Sequence, residues 1–336
     1  MLLHSLKFDI RSRSIEFGDW PDRIYRSNDL TRVFPSHVAS LSLEVERDGS
    51  AHELNIEPID STNGTFAEIP LSGGMCYYRD GRFYSECDGE FSNRVEFIPG
   101  SNTIRMNIGG RFLEVPPSGL LGLVVKPIMQ SFVLPFYHLK SLHGAVVARG
   151  DTTIMIAGRG GAGKSTTALR LMLAGYALLA DDTALFTTCD DHALALSSLD
   201  SAHAAEKTIE LLPRLREGII GDIDHRGKYS ISLENLQPNE LWRQTRRVTH
   251  FIHLSRKTVG EPRFVSDNAP QATAGLLGEA MTVFRSSAFA GNEMFERHSR
   301  LSFDVITSLV RDSRVLTLEF GDHHLDMLPQ LFDSLQ

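Results

Sequence analysis

The residues best suited by type and spacing to do chemistry lie in the glycine-rich stretch 158–165. It runs Gly-Arg-Gly-Gly-Ala-Gly-Lys-Ser and matches the G-x-x-x-x-G-K-S pattern of a phosphate-binding loop. Glycines allow successive backbone N–H groups to turn toward an anion, and the start of a following helix adds partial positive charge. The pattern therefore predicts a nucleotide phosphate site formed by Gly158, Gly160, Gly161, Ala162, Gly163, Lys164, Ser165 and Thr166.

Two side chains in this stretch have predicted roles of their own. The Lys164 ammonium can reach the terminal phosphates of a nucleotide, and the Ser165 hydroxyl can ligate Mg²⁺. The alternative is a glycine-rich turn that matches the pattern by chance. The flanking segments favour the functional interpretation, because 152–157 is an apolar, β-branched run typical of a buried strand and 166–174 has helical spacing that ends at Gly175.

A pair of carboxylates, Asp181 and Asp182, follows a second apolar segment at 176–180. Where a strand of an α/β sheet ends, the chain turns, and both side chains can approach a phosphate site at that edge. One carboxylate could hold Mg²⁺ and the other could accept a proton from an attacking hydroxyl. The alternative is an Asp-Asp turn exposed to solvent.

Three motifs together resemble HPr kinase/phosphorylase. They are Ser141-Leu142-His143-Gly144, the glycine loop with its Lys-Ser, and the Asp-Asp pair. The family is a branch of P-loop proteins similar to PEP carboxykinase. The resemblance implies an α/β fold with a kinase core of that type, ATP and Mg²⁺ as cofactors, and a protein serine as acceptor. It also implies that His143 lies beside the phosphates and that Asp181 and Asp182 supply the Mg²⁺ contact and the base.

Two departures from that family alter the expected substrate. Members usually have Ser-Glu where this chain has Ser165-Thr166, and their Glu-Ile-Arg-Gly-Leu-Gly segment has no counterpart after Asp182. Both differences argue against HPr as the target and against a reverse phosphorylase reaction. The chain is more similar to shorter HPr-kinase-like proteins of biosynthetic clusters, which include kinases for the C-terminal serine of lasso-peptide precursors.

The leading hypothesis is an ATP-dependent kinase for a serine hydroxyl of a peptide or small protein. In it, Lys164 offsets phosphate charge, Ser165 and Asp181 hold Mg²⁺, and Asp182 takes the proton of the acceptor. One alternative is a kinase for a small hydroxylated molecule such as a sugar. Another is a regulatory module that binds nucleotide without transfer, which the Asp-Asp pair disfavours because a binding module needs no base.

Composition excludes several other classes of protein. The 336-residue chain carries a formal net charge of −8, which argues against general nucleic-acid binding. Its three cysteines, Cys76, Cys87 and Cys189, are scattered and predict neither a disulfide framework nor a zinc site. The longest apolar run, near 120–125, is too short to span a bilayer, and no secretory signal is evident. These features predict a cytoplasmic protein without a membrane partner and leave its oligomeric state open.

The chain divides into two predicted domains. Residues 1–117 alternate apolar and polar residues between turn signals, which predicts a β-rich domain, either a meander or a small sandwich. The expected hairpins pair 41–45 with 54–56 around Asp48-Gly49, 77–78 with 83–84 around Asp80-Gly81, and 104–108 with 112–115 around Gly109-Gly110. The Pro-Pro-Ser-Gly segment at 116–119 marks a boundary, so residues 118–336 form the predicted kinase domain. That domain is expected to begin with a helix over 120–139 and a hairpin that His143 opens.

The remainder of the second domain contains further predicted elements and candidate contacts. Lys228, at the start of a predicted strand, is a candidate phosphate or substrate contact, whereas Glu206 has no motif that favours a metal role. The basic cluster Arg243, Arg246 and Arg247 is interpreted first as a solvated face and second as a contact to transferred phosphate. The other predicted elements are strands at 184–186, 194–199, 227–233, 248–254 and 315–320 and helices at 270–284, 303–310 and 325–335.

Overall fold

The structure, a computed structural model, has a mixed α/β fold with several sheets. It describes residues 4–10, 13–16, 40–47, 65–69, 74–79, 82–87, 93–98, 103–108, 139–189, 192–196, 201–220, 223, 227–233, 236, 245–257, 259–266, 273–277 and 293–335. The chain forms two compact units. Unit 1 comprises residues 1–139 and 279–302, and unit 2 comprises residues 140–278 and 303–336.

Unit 1 contains an eight-stranded sheet in the order β2-β1-β3-β8-β7-β6-β5-β4. Strands β4 to β8 form an antiparallel meander, whereas β3 pairs in parallel with both β1 and β8. The strands are β1 (His4–Ile10), β2 (Arg13–Glu16), β3 (Ser40–Arg47), β4 (Thr65–Ile69), β5 (Gly74–Arg79), β6 (Arg82–Cys87), β7 (Asn93–Ile98) and β8 (Thr103–Ile108).

The sequence predicted the positions of strands in this sheet better than it predicted which strands pair with each other. The hairpin expected around Asp80-Gly81 is confirmed, because β5 and β6 pair with Arg79 opposite Arg82. The alternating run at 104–108 is strand β8, but β8 pairs with β3 and β7. The second strand expected for its hairpin, near residue 112, lies outside the described residues, as does the strand expected around residue 54.

Unit 2 is built on a six-stranded sheet in the order β12-β10-β11-β19-β21-β20. Strands β11, β19 and β21 are parallel neighbours, while β10 runs antiparallel to both β11 and β12. The strands are β10 (Ala145–Arg149), β11 (Thr152–Ala157), β12 (Ala177–Ala180), β19 (His250–Arg256), β20 (Arg263–Ser266) and β21 (Arg314–Phe320).

Strand β11 in the sheet interior and strand β12 at its edge are both apolar because both of their faces are covered. Every residue of β11 and of β12 is buried, which is why the sequence shows a continuous apolar run rather than alternation. Helix α1 (Lys164–Leu173) packs Ala168, Leu171 and Met172 into the same core. Gly175, with φ of 97°, ends the helix as predicted, since its N–H and the next one donate to carbonyls of the last turn.

Two smaller sheets complete the strands of unit 2. A four-stranded sheet has the order β18-β14-β13-β9, and a three-stranded sheet has the order β15-β17-β16. Their strands are β9 (Lys140–His143), β13 (Thr183–Cys189), β14 (His192–Leu196), β15 (Ser201–Ala205), β16 (Ile219–Ile220), β17 (Lys228–Ser232) and β18 (Thr245–Arg247). A short helix, α2 (Glu206–Leu211), follows β15 directly.

The C-terminal elements match the prediction in type and differ in detail. Helix α3 (Glu293–Asp312) contains the predicted 303–310 segment, whose first residue, Phe303, is 55% exposed. The terminal helix is divided into a 3₁₀ segment, Asp322–Met327, and α4 (Leu328–Asp333). Of the helix predicted over 270–284, the described residues 273–277 are helical and the others lie outside the described part.

Several predictions fall outside the described residues. These are the domain boundary at 116–119, the helix over 120–138 and the position of Arg243. Among the described helices, none is both long and apolar enough to cross a bilayer.

Candidate functional site

The glycine loop and the Asp-Asp pair meet at one edge of the six-stranded sheet. Strand β10 lies between β11 and β12 and is antiparallel to both, so β11 and β12 point the same way. Val146 of β10 pairs with Ala180, the last residue of β12, and Ala145 pairs with Ile156 near the end of β11. Gly158 and Asp181, which follow those two strands, therefore leave the sheet at the same edge, where α/β proteins usually bind ligands.

The loop backbone favours glycine at both glycine positions of the motif and at one position between them. Gly161 and Gly163 have φ of 75° and 95°, in the left-handed region that other residues rarely adopt. Gly158 has φ of 153°, and a β-carbon there would lie 3.3 Å from Leu254 Cβ. Gly163 is the residue before α1, and its carbonyl accepts the Thr167 N–H at 2.8 Å. The loop thus passes directly into the first turn of a helix.

Lys164 folds back over the loop. Its Nζ donates to the carbonyl oxygens of Gly158 at 2.8 Å and Arg159 at 3.2 Å, and the residue is only 8% exposed. The carbonyls of the first two residues of the motif therefore hold the ammonium against the loop.

Asp181 is a buried carboxylate whose Oδ1 accepts no hydrogen bond from the described residues. Only 6% of the residue is exposed, and Oδ2 accepts the His203 backbone N–H at 3.3 Å. Burial raises the pKa of Asp181, and the neighbouring Asp182 charge adds to the increase. The Ser165 hydroxyl, the His203 N–H and the Lys228 ammonium act in the opposite direction on this pKa, which places all three groups near the carboxylate.

These observations fit a hard cation beside Ser165 and Asp181. A buried carboxylate oxygen without a donor is costly to keep unless something binds it, and a hydroxyl lies beside it. Mg²⁺ is usually held by one or two protein oxygens together with water and substrate phosphates. The described residues contain no group of three or more His, Cys, Asp or Glu suited to a metal, so a site built by protein ligands alone is not found in this part of the chain.

Asp182 lies at the bend between β12 and β13 in a backbone conformation that is rare for aspartate. Its φ is 63°, and it is the only residue other than glycine with positive φ among those that the structure describes. The bend is held by two hydrogen bonds, from Thr183 N–H to the Asp181 carbonyl at 2.7 Å and from Gly144 N–H to the Asp182 carbonyl at 3.2 Å. The Asp182 side chain is 33% exposed, so its carboxylate is open to solvent while that of Asp181 is not.

His143 contacts Asp182 directly. Its Nδ1 lies 2.8 Å from the Asp182 carbonyl oxygen and 3.5 Å from Oδ1 of the same residue. Since a carbonyl only accepts, Nδ1 carries the proton in this contact. The prediction that His143 opens the hairpin was wrong in detail, because His143 ends strand β9 and pairs with Thr183 in the four-stranded sheet. Gly144 then separates β9 from β10.

Thr166 and Lys228 lie on the side of the site formed by the three-stranded sheet. The Thr166 hydroxyl is 2.9 Å from that of Thr208 on α2. The Lys228 charge lowers the pKa of Asp181, so its ammonium lies within electrostatic range of that carboxylate. Glu206, which no sequence motif assigns to a metal, raises the pKa of the Tyr229 hydroxyl through a hydrogen bond between the two side chains.

Two arginines of the predicted basic cluster are engaged elsewhere. Arg246 donates to the Gly150 carbonyl, in the turn before β11 and therefore at the opposite end of that strand from the loop. Arg247 lies 3.7 Å from Asp312, at the end of α3. The solvated and structural interpretation of these two residues agrees with these contacts.

Sequence reasoning missed Arg256, the last residue of β19. Its Nε donates to the Ala162 carbonyl at 3.2 Å, so a cation from a neighbouring strand rests on the glycine loop. The signal that could have identified it is its position, since Arg256 follows the largely apolar segment 251–254 by two residues and so falls at the carboxyl edge of a parallel strand.

Comparisons with known proteins give little beyond this geometry. No protein-family model matches the sequence, and no curated protein matches it either. Among solved structures, the chain is similar to the HPr(Ser) kinase/phosphatase from Coxiella burnetii at 13% identity with a TM-score of 0.33. The similarity covers 58% of this chain and 95% of that one.

Proposed function

We propose that this protein is an ATP- and Mg²⁺-dependent kinase that phosphorylates a serine hydroxyl of a peptide or small protein. One observation carries the proposal. A glycine loop that opens a helix, a buried carboxylate beside the loop serine, and a second, solvent-open carboxylate all lie at one sheet edge. A module that only binds nucleotide needs the first two features and has no use for the third.

Each residue of this arrangement has a separate task in the proposed reaction. The backbone N–H groups from Gly160 to Ser165 surround the β-phosphate, and Lys164 exchanges its carbonyl contacts for phosphate oxygens. Ser165 and Asp181 would hold Mg²⁺, which when bound offsets the charge that builds up on the transferred group. Asp181 is suited to this task because its Oδ1 has no hydrogen bond from the described residues.

Asp182 is the proposed base. The serine oxygen of the acceptor forms a bond to the γ-phosphorus, the bond from that phosphorus to the β–γ bridging oxygen breaks, and the serine proton passes to Asp182. His143 holds this residue through the bond from Nδ1 to the Asp182 carbonyl, so His143 is proposed as a positioning residue. The serine acceptor rests on the motif resemblance, whereas the geometry suits any hydroxyl that enters beside Asp182.

The direct test combines transfer and binding measurements on the same variants. Wild-type protein is incubated with γ-labelled ATP and Mg²⁺, first with a serine-peptide library and separately with a panel of sugars. We expect label on peptides, a loss of about 10²–10⁴-fold in transfer rate for Asp182→Asn, and nucleotide affinity within about threefold of wild type for that variant. Lys164→Ala should lose both transfer and about tenfold or more in affinity.

The other outcomes decide between the alternatives. Label on a sugar and not on peptides would favour a small-molecule kinase. Tight ATP binding without transfer to any acceptor would favour a regulatory module. Asparagine suits the comparison because it tolerates the left-handed backbone of residue 182, so the variant changes charge without adding strain.

A further inference from the structure

Arg256 occupies a defined position relative to the glycine loop. Strands β11 and β19 are parallel neighbours, with Ala157, the last residue of β11, opposite His253. Strand β19 continues for three more residues, 254–256, and so extends past the point where β11 turns into the loop. Arg256, the last residue of this extension, therefore lies next to the loop.

The guanidinium lies against Ala162 and Gly163, the last two residues of the loop before helix α1 begins. Nε donates to the Ala162 carbonyl at 3.2 Å. A β-carbon added to Gly163 would lie 3.0 Å from Nη2, 3.6 Å from Nε and 3.7 Å from Cζ. Because three atoms of the guanidinium lie within 4 Å of that one point, the group lies over Gly163, and the glycine gives it room to approach the backbone.

The sheet order shows which end of a bound nucleotide this cation would meet. Strand β11 has β10 and then β12 on one side and β19 on the other. Asp181, a proposed Mg²⁺ ligand, directly follows β12 and so marks the β12 side as the position of the terminal phosphates. With the terminal end of the triphosphate beside Asp181, we expect its nucleoside end on the other side of the loop, toward β19.

We propose that Arg256 binds the α-phosphate of the nucleotide and thereby fixes the nucleoside end on the β19 side of the loop. A guanidinium has five N–H donors in a fixed planar fork that matches two phosphate oxygens, so it can contact the phosphate while Nε keeps its bond to Ala162. This inference rests on the proposed function, since it assumes that the loop binds a nucleotide.

The test separates a contact at the α-phosphate from a contact at the transferred group. Dissociation constants for Mg-ATP, Mg-ADP and Mg-pyrophosphate are measured by calorimetry for wild type and Arg256→Ala, with kcat and KM for ATP alongside. We expect about tenfold weaker ATP and ADP binding, with KM raised by a similar factor. Pyrophosphate affinity and kcat should change less than twofold, because neither depends on the α-phosphate. Arg256→Lys should recover part of the loss.

A matched control is available on the same sheet. Arg314 is also an exposed arginine, and it lies at the opposite, amino-terminal edge, where it pairs with His250. Arg314→Ala should leave all three dissociation constants unchanged. This control separates the proposed contact from a general loss of positive charge.

Four results would overturn the inference. Unchanged ADP affinity with a reduced kcat would place Arg256 at the transferred phosphate. An equal loss for ATP, ADP and pyrophosphate would mean that Arg256 only supports the loop. Unchanged binding of all three ligands would show that Arg256 contacts none of them. Failure of wild-type protein to bind any nucleotide would overturn the proposed function itself, and this inference with it.

Discussion

Single residues at this site combine unfavourable local energetics with the geometry needed for chemistry. Asp181 is buried with a carboxylate oxygen that no described residue satisfies, and Asp182 has a left-handed backbone. Both features cost stability, and such costs concentrate at functional sites. The identity of these two residues was predictable from the sequence because an apolar strand that ends in paired carboxylates is a local pattern. The different environments of the two carboxylates were not predictable, since burial depends on Ser165, His203 and the strands packed above them.

We predict that Asp181→Asn raises the stability of the protein in the absence of metal while removing its response to Mg²⁺. Burial raises the pKa of Asp181, so the folded protein binds this proton more tightly than the unfolded chain does. The group therefore favours folding below the ordinary aspartate pKa of about 3.9, and this contribution is lost as pH rises through the folded-state pKa. The thermal midpoint of the variant should exceed that of wild type by about 2–6 °C at pH 8 and by less at pH 5.

Asp304→Asn, an exposed site on α3, serves as the control for this measurement and should not change the midpoint at either pH. A lower midpoint for Asp181→Asn at pH 8, or a difference that does not change with pH, would contradict the proposed cost of the buried charge.

At the scale of elements, Gly144 connects the two carboxylates to the loop strand. It lies between β9 and β10, and its N–H donates to the Asp182 carbonyl. The Cα hydrogen that a β-carbon would replace faces the Ile156 carbonyl of β11. The buried strands β11 and β12 were predictable because strands covered on both faces are continuous apolar runs. The partners of β8 and β9 were not predictable, because pairing between distant segments is decided by the tertiary fold. Arg256 was missed for the same reason.

Gly144→Ala is expected to destabilise unit 2 and to displace Asp182. The added β-carbon would lie 2.8 Å from the Ile156 backbone oxygen, so β10 and β11 must separate or the bend must move. Overpacking of this kind costs about 1–3 kcal/mol in the free energy of unfolding, which denaturant titration would measure. Gly260→Ala, where an added β-carbon meets no atom within 4 Å, should change the same free energy by less than about 0.5 kcal/mol. Equal effects of the two substitutions would refute the steric argument.

At the scale of the whole molecule, the chain divides into two units with separate sheets, and every residue of the candidate site belongs to unit 2. The predicted boundary at 117 and the roles of the two predicted domains stay predictions. A β-rich first segment could be expected from alternation between turns. The assignment of residues 279–302 to unit 1 could not, because it joins segments far apart in the sequence.

Mg-ATP should stabilise unit 2 in proportion to its binding. A ligand at 100 times its dissociation constant adds about 2.7 kcal/mol to the stability of the state that binds it. Hydrogen exchange of the slowest amides in β11 and α1 should therefore slow by about 100-fold with Mg-ATP at that concentration. Lys164→Ala, tested at the same ligand concentration, should show a much smaller effect. An unchanged exchange rate in wild-type protein would argue that no nucleotide binds to the folded unit.

The lysine that folds back on the loop has one further consequence. A lysine side chain gives up about 1.5–2 kcal/mol of rotamer entropy when it is ordered, and the carbonyls of Gly158 and Arg159 already hold Lys164 in one arrangement. This rotamer entropy is lost when the chain folds rather than when the ligand binds. An incoming phosphate that replaces these carbonyl contacts thus meets an ammonium that is already ordered, and less of the contact energy is offset by ordering of the side chain.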